Sequence, residues 1–193
     1  MGKWSRCDYR QLQKLRDNLA KLQSADMDKF CRDMSKKSAA MLLGLVIPAT
    51  PVGDYKTDVK VTAKRDSKYH KKGDVFAKRV NKTGKIGGTL RRGWTARTHE
   101  EAESGQGKTT SKDQIDSFTK GLSVAKSGTK YTVDVINPVN YASYVEFGHR
   151  TPHGDGWVEG QYFLTHSEQD LKRILPGVIQ KNLDALLREA FKV

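Results

Sequence analysis

Three short segments carry residue types that could support chemistry, and each fails on its surroundings. Gly105-Gln106-Gly107-Lys108-Thr109 has the closing residues of a phosphate-binding loop. That loop requires an earlier glycine where Ala102 stands, and a buried strand where the polar run His99-Glu100-Glu101 stands. Gly84-Lys85-Ile86-Gly87-Gly88 lacks the strand–turn–helix setting of a dinucleotide fingerprint, and its glycines are read as a turn. His149 and His153, with Asp155 near by, have no third histidine or cysteine at zinc-like spacing, and Cys7 and Cys31 are distant. They are read as solvent-exposed or interface histidines. No nucleophile elbow or paired-carboxylate setting marks any serine, histidine or aspartate. No catalytic residue, metal ligand or cofactor is nominated, and the chain is not expected to be an enzyme.

A different chemistry lies in the charge. The 193 residues hold 35 Lys and Arg against 22 Asp and Glu, a formal net of +13. Residues 56–97 alone hold 14 basic and 3 acidic side chains, a net of +11. The candidates for contact with a polyanion or an acidic partner are Lys64, Arg65, Lys68, Lys71, Lys72, Lys78, Arg79, Lys82 and Lys85. A solvated loop kept soluble by its lysines is the alternative, since only Tyr69 and Phe76 are available as stacking surfaces. Arg91-Arg92 before Trp94 reads either as a phosphate or carboxylate contact, or as strand-edge charge beside a buried indole.

The elements that must carry these groups follow from periodicity. Leu12, Leu15, Leu19 and Leu22 share one helical face, and Ser24 and Asp26 are plausible caps for a second or continued helix, so the first quarter reads as one long helix or a helical pair. Phe30, Met34, Met41, Leu42, Leu45 and Val46 continue the spacing until Pro48 and Pro51 stop it. Residues 53–88 read as a long basic loop or hairpin arm, with a short strand at Val59-Lys60-Val61. Residues 90–98 read as a strand anchored by a buried Trp94, and residues 99–112 as an exposed loop. Residues 118–125 and 130–136 read as two strands about a turn at Ser127-Gly128-Thr129, with Tyr131, Val133 and Val135 on the buried face. Residues 140–147 read as a short helix, and residues 148–160 as a loop. A final helix carries Leu171, Ile174, Leu175, Val178, Ile179, Leu183, Leu186, Leu187 and Phe191, with Pro176-Gly177 expected to kink or interrupt it.

Composition excludes other classes. With 36% hydrophobic and 30% charged residues, a core is possible alongside solvated segments. No apolar run reaches the roughly 18–20 residues of a membrane span, and no secretory leader is expected from Met1-Gly2-Lys3-Trp4-Ser5-Arg6. Two cysteines make no disulfide framework, which favours a reducing compartment.

Four segments, in order, resemble a known family. Asn137-Pro138-Val139-Asn140-Tyr141-Ala142-Ser143-Tyr144-Val145-Glu146-Phe147-Gly148-His149-Arg150 is similar to a segment of the tail completion proteins of long-tailed bacteriophages. That group includes lambda's minor tail protein Z. Ile47-Pro48-Ala49-Thr50-Pro51-Val52 resembles its Thr-Pro-Val turn. Gly87-Gly88-Thr89-Leu90-Arg91-Arg92-Gly93-Trp94 resembles its Gly-x-Leu-Arg-x-(Ser/Gly)-Trp strand. Gly156-Trp157-Val158-Glu159-Gly160-Gln161-Tyr162-Phe163-Leu164 resembles the segment before its last helix. In many members the Thr-Pro-Val turn runs almost directly into the Gly-x-Leu-Arg strand, whereas here residues 53–86 intervene.

The resemblance implies an α+β fold, with a long N-terminal helix and a C-terminal helix packed on a small antiparallel β-sheet. It implies one tail-completion-like domain over residues 1–193, with residues 53–86 as a basic insert. The implied function is a structural virion protein at the neck, assembled in the host cytoplasm as a homo-oligomeric ring, expected to be a hexamer. Its implied partners are the head connector and neck proteins, and the tail tube or tail terminator, with no membrane. The basic insert, which the family pattern lacks, is expected either to meet packaged DNA without reading bases or to bind acidic surfaces of connector or tail proteins. Tyr141, Tyr144, Phe147 and Trp157 are the subunit-interface candidates. Another neck ring protein (head-closure or tail-terminator) and a non-enzymatic DNA-binding protein are the alternatives.

Overall fold

A computed structural model describes residues 13–14, 16–17, 27–84, 87–105, 111–151, 154 and 156–191. The leucine stripe Leu12–Leu22, the caps Ser24 and Asp26, and Lys85, His153 and Asp155 lie outside the described residues. So does most of the glycine–lysine segment, at residues 106–110. The fold is α+β. Its described elements are α1 (Met27–Ala49), β1 (Lys56–Thr62), β2 (Val75–Asn81), α2 (Thr89–Gly93), α3 (His99–Ser104), α4 (Lys112–Lys120), β3 (Ala125–Ser127), β4 (Lys130–Thr132), α5 (Ala142–Phe147), β5 (Gly148–Arg150), β6 (Trp157–Glu159) and α6 (Phe163–Phe191). The strands form antiparallel pairs β1–β2, β3–β4 and β5–β6. The chain divides into two compact units, one holding α1, α4, β3–β4 and α6, the other holding the remaining elements.

In the first unit α1 packs against α6, α4 and β4. Met34, Ala39, Leu43, Val46 and Ile47 are buried along α1, while Phe30, Met41, Leu42 and Leu45 are half-buried beside them. Pro48 does not stop the helix before itself. It lies on the exposed side of the last turn, and the helix ends one residue later at Ala49. Pro176 is likewise exposed, and α6 runs through it without interruption. Ile174 and Ile179 of α6 are exposed; the remaining expected apolar positions from Leu171 to Leu187 are half-buried, and the Phe191 side chain is not among those described. Lys37 Nζ donates to Asn182 Oδ1 across the α1–α6 contact (2.9 Å).

The β3–β4 hairpin is shorter than expected, because residues 118–120 complete α4 instead of starting a strand. Ser111 caps α4: its side chain accepts from the Gln114 N–H while the Gln114 side chain accepts from the Ser111 N–H. The alternation beyond β4 survives without a partner strand, with Tyr131, Val133 and Val135 half-buried and Thr132, Asp134 and Ile136 exposed. Asp28 near the start of α1 ties this hairpin down, accepting from Lys126, from the Tyr131 hydroxyl (2.6 Å) and from Arg32 Nε (2.7 Å).

In the second unit two sequence expectations are corrected. Residues 89–93 are helical, not extended. The Arg92 guanidinium, 8% exposed, donates to Ala102 O (2.8 Å), Gly87 O (3.1 Å) and Thr89 Oγ1 (3.2 Å). Bonds to residues on both sides of it curl the segment and outweigh its β-like pattern. Trp94 is buried as expected, and its Nε1 donates to Thr50 Oγ1 (2.8 Å). Residues 99–104 are also helical, started by Thr98 Oγ1 accepting from the Glu101 N–H (3.2 Å).

Candidate functional site

The basic segment is a hairpin, the more ordered of the two forms expected for it. β1 and β2 pair over seven residues each, from Lys56 opposite Asn81 to Thr62 opposite Val75. Alternation puts Val59, Val61, Phe76 and Val80 on one half-buried face. Lys56, Asp58, Lys60 and Arg79 occupy the other face. At the tip, Asp66 Oδ1 accepts from the Lys72 N–H (2.6 Å) and Asp74 Oδ2 from the Lys71 N–H (2.8 Å). Ser67 N donates to His70 O (2.8 Å) and closes a turn. The His70 ring stacks on Phe76 at 4.0 Å and 7°.

The nine nominated cations divide three ways. Lys64, Arg65, Lys68, Lys71 and Lys72 project from the exposed tip, and Lys78 and Lys82 from the exposed stem. Arg79 is ion-paired with Asp54 (2.6 Å) and lies 3.7 Å from Asp58. The backbone N–H of Lys56, then the Arg79 charge, hold the Asp54 carboxyl below its ordinary range. Lys85 lies outside the described residues.

Arg91 and Arg92 do not serve as a surface contact. Arg91 donates through Nε and Nη2 to Thr50 O (3.2 and 2.6 Å), so both guanidinium groups bind backbone oxygens of the protein's own turns. The bases of the hairpin meet close by. A methyl group on Gly87 would run into the Gly53 carbonyl oxygen, so only glycine permits that approach.

The aromatic candidates form the second surface. α5 inverts the usual amphipathic order: Glu146 is 4% exposed, whereas Tyr144 and Phe147 are 57% and 58% exposed. The helix is held by Gln161 N donating to Val145 O (2.9 Å), and by Gly148, whose φ of 85° starts β5. Residues 148–160 are thus not a plain loop, since β5 and β6 pair with Arg150 opposite Trp157, which is 55% exposed. His149 lies edge-on to Tyr144 at 5.8 Å. Tyr141 is 39% exposed and faces a groove of about 280 Å³, shared with Pro51, Val52, Tyr55, Leu90 and Val145. Burial pushes its phenol above the ordinary value. Among the described residues no cluster could hold a metal, and no helix is long and apolar enough to cross a membrane.

The groove draws together the Thr-Pro-Val turn, the Gly-Thr-Leu segment and the Asn-Tyr segment, which lie far apart in sequence. A family profile described as "Bacteriophage HK97-gp10, putative tail-component" matches residues 13–148. The chain belongs to the HK97-gp10-like family. No curated protein and no solved structure matches it. As an HK97-gp10-like tail component it is a structural, tail-associated protein of the phage virion. The matched span holds the basic hairpin, α5 and the groove residues from Pro51 to Val145, and leaves β6 with Trp157 beyond its end. The outward Tyr144 and Phe147 agree with their nomination as interface residues, whereas no pattern in the sequence marks Glu146 as buried; the Thr98-x-x-Glu101 and Ser111-x-x-Gln114 caps are readable in the sequence.

Proposed function

We propose that this HK97-gp10-like protein completes the head-proximal end of the phage tail as a homo-oligomeric ring, a hexamer, that joins the tail to the head connector. Residues 1–193 act as one tail-completion domain, with residues 53–86 as an insert. The reading rests on α5, which turns two aromatic rings outward and a carboxylate inward. Exposed aromatic side chains on a fixed helix are poor surface for a monomer and good surface for a subunit contact. Tyr141, Tyr144, Phe147 and Trp157 are the contact residues of this ring.

The expected outcome for Tyr144→Ser with Phe147→Ser is a folded chain that sediments as a monomer. Phage assembled with it should yield separate heads and tails. Unchanged rings and normal joining in that variant would overturn the contact assignment. A particle reconstruction placing the chain in the head-closure or tail-terminator ring would overturn the position, leaving the contact itself intact.

A further inference from the structure

We propose that the tip of the β1–β2 hairpin binds the phosphate backbone of duplex DNA without reading its sequence. The inference does not depend on which ring the protein occupies. It begins with the charge pairing at the tip. Asp66 and Asp74 are engaged by the loop's own backbone N–H groups, at 2.6 and 2.8 Å. Among the described residues no carboxylate lies within ion-pair distance of Lys64, Arg65, Lys68, Lys71 or Lys72. The loop therefore uses its acids to fix its shape and leaves five cations directed at solvent. Lower on the stem Arg79 is neutralised by Asp54, whereas Lys78 and Lys82 stay exposed, so the unpaired charge is densest at the tip.

The aromatic groups narrow the choice of polyanion. Phe76 is half-buried and one face of its ring is covered by His70 at 4.0 Å, so that face is closed to an unstacked base. Tyr69, 79% exposed, is a single ring with Lys68 Nζ 5.6 Å from its centre. Single-stranded nucleic acid is held by successive stacking platforms, which this tip lacks. A protein partner calls for a packed apolar anchor surrounded by a polar rim, and here the cations dominate instead. The ribbon also has suitable dimensions. Two strands fit the major groove of B-form DNA, and seven residues at ~3.4 Å each hold the tip about 24 Å from the base of the arm.

The test is a salt titration of binding by the full-length protein to two short duplexes of unrelated sequence, read by fluorescence anisotropy. Each phosphate neutralised contributes about 0.9 to the slope of log affinity against log salt. Replacing the five tip cations together (K64Q, R65Q, K68Q, K71Q, K72Q) should reduce that slope by about 4–5. A charge-matched control (K29Q, K112Q, K172Q, K181Q, R188Q) removes the same net charge from exposed sites elsewhere and should leave the slope nearly unchanged. If the fivefold tip variant misfolds, K64Q and K71Q singly should each lower the slope by about 0.9. Equal slopes for the tip and control variants would overturn the proposal. So would a clear preference between the two duplexes, or binding to polyglutamate as strong as binding to DNA.

Discussion

Arg92 has its guanidinium on three oxygens, none of them a carboxylate. A cation almost removed from water persists there because the carbonyl dipoles of Ala102 and Gly87 replace its hydration, in a geometry that the planar fork matches and an ammonium does not. Arg92→Lys should therefore cost about 2–4 kcal/mol, although charge is conserved, and urea unfolding would measure the loss. Asp28 makes a different prediction. Hydrogen bonds from Lys126, Tyr131 and Arg32 hold its carboxyl well below the usual range. A lowered value means that the stability from these bonds is full above the ordinary carboxylate pKa, near ~4, and is lost as pH falls below it. The difference in Tm between the wild type and Asp28→Asn should be constant from neutral pH to about 5 and should narrow below about 4. Of these roles only the burial of Trp94 was legible in the sequence, because a large apolar ring has few other destinations. Asp28 acts on Lys126 and Tyr131 far along the chain, and Arg92 on oxygens three to ten residues away that no side-chain pattern marks.

Among the elements, glycine has opposite uses in a helix and in a hairpin. Gly44 lies on the exposed face of α1 with open space where a Cβ would stand, so Gly44→Ala should raise stability by about 0.5–1 kcal/mol. Gly148 has a φ of 85°, and a Cβ there would meet the Val158 carbonyl. Gly148→Ala should cost at least about 1 kcal/mol and release β6, which thermal unfolding and Trp157 fluorescence would report. Elements with strong local signals are readable: α1, α5, α6 and a turn at Ser127-Gly128-Thr129, of which Ser127 closes β3. Residues 90–98 have a strand-like pattern, yet hydrogen bonds curl residues 89–93 into a helix, and residues 118–120 are helical because the Ser111 capping box starts α4.

For the molecule as a whole, the segments that carry the family resemblance fall together in a way the linear order does not reveal. Pieces before and after the basic hairpin line one groove with Tyr141 and Val145. The α+β class and the separateness of the basic segment were legible, since composition changes sharply at its borders. The division into two compact units was not, because each is assembled from discontinuous stretches. The hairpin strands pack chiefly on each other. Replacing residues 54–86 with a short glycine bridge should therefore preserve helix content and cooperative melting. The same variant should lose duplex binding, which circular dichroism and anisotropy on one sample would establish.

The approach of Gly53 and Gly87 has a consequence for descent as well as for stability. An arm that leaves and re-enters the body at one point closes no large loop of the core, so its length bears only weakly on the entropy of folding. Genetic exchange can lengthen, shorten or replace such an arm without shifting the register of any residue beyond its two ends. The charge a phage presents on this arm can thus diverge between lineages while the body that carries it stays fixed.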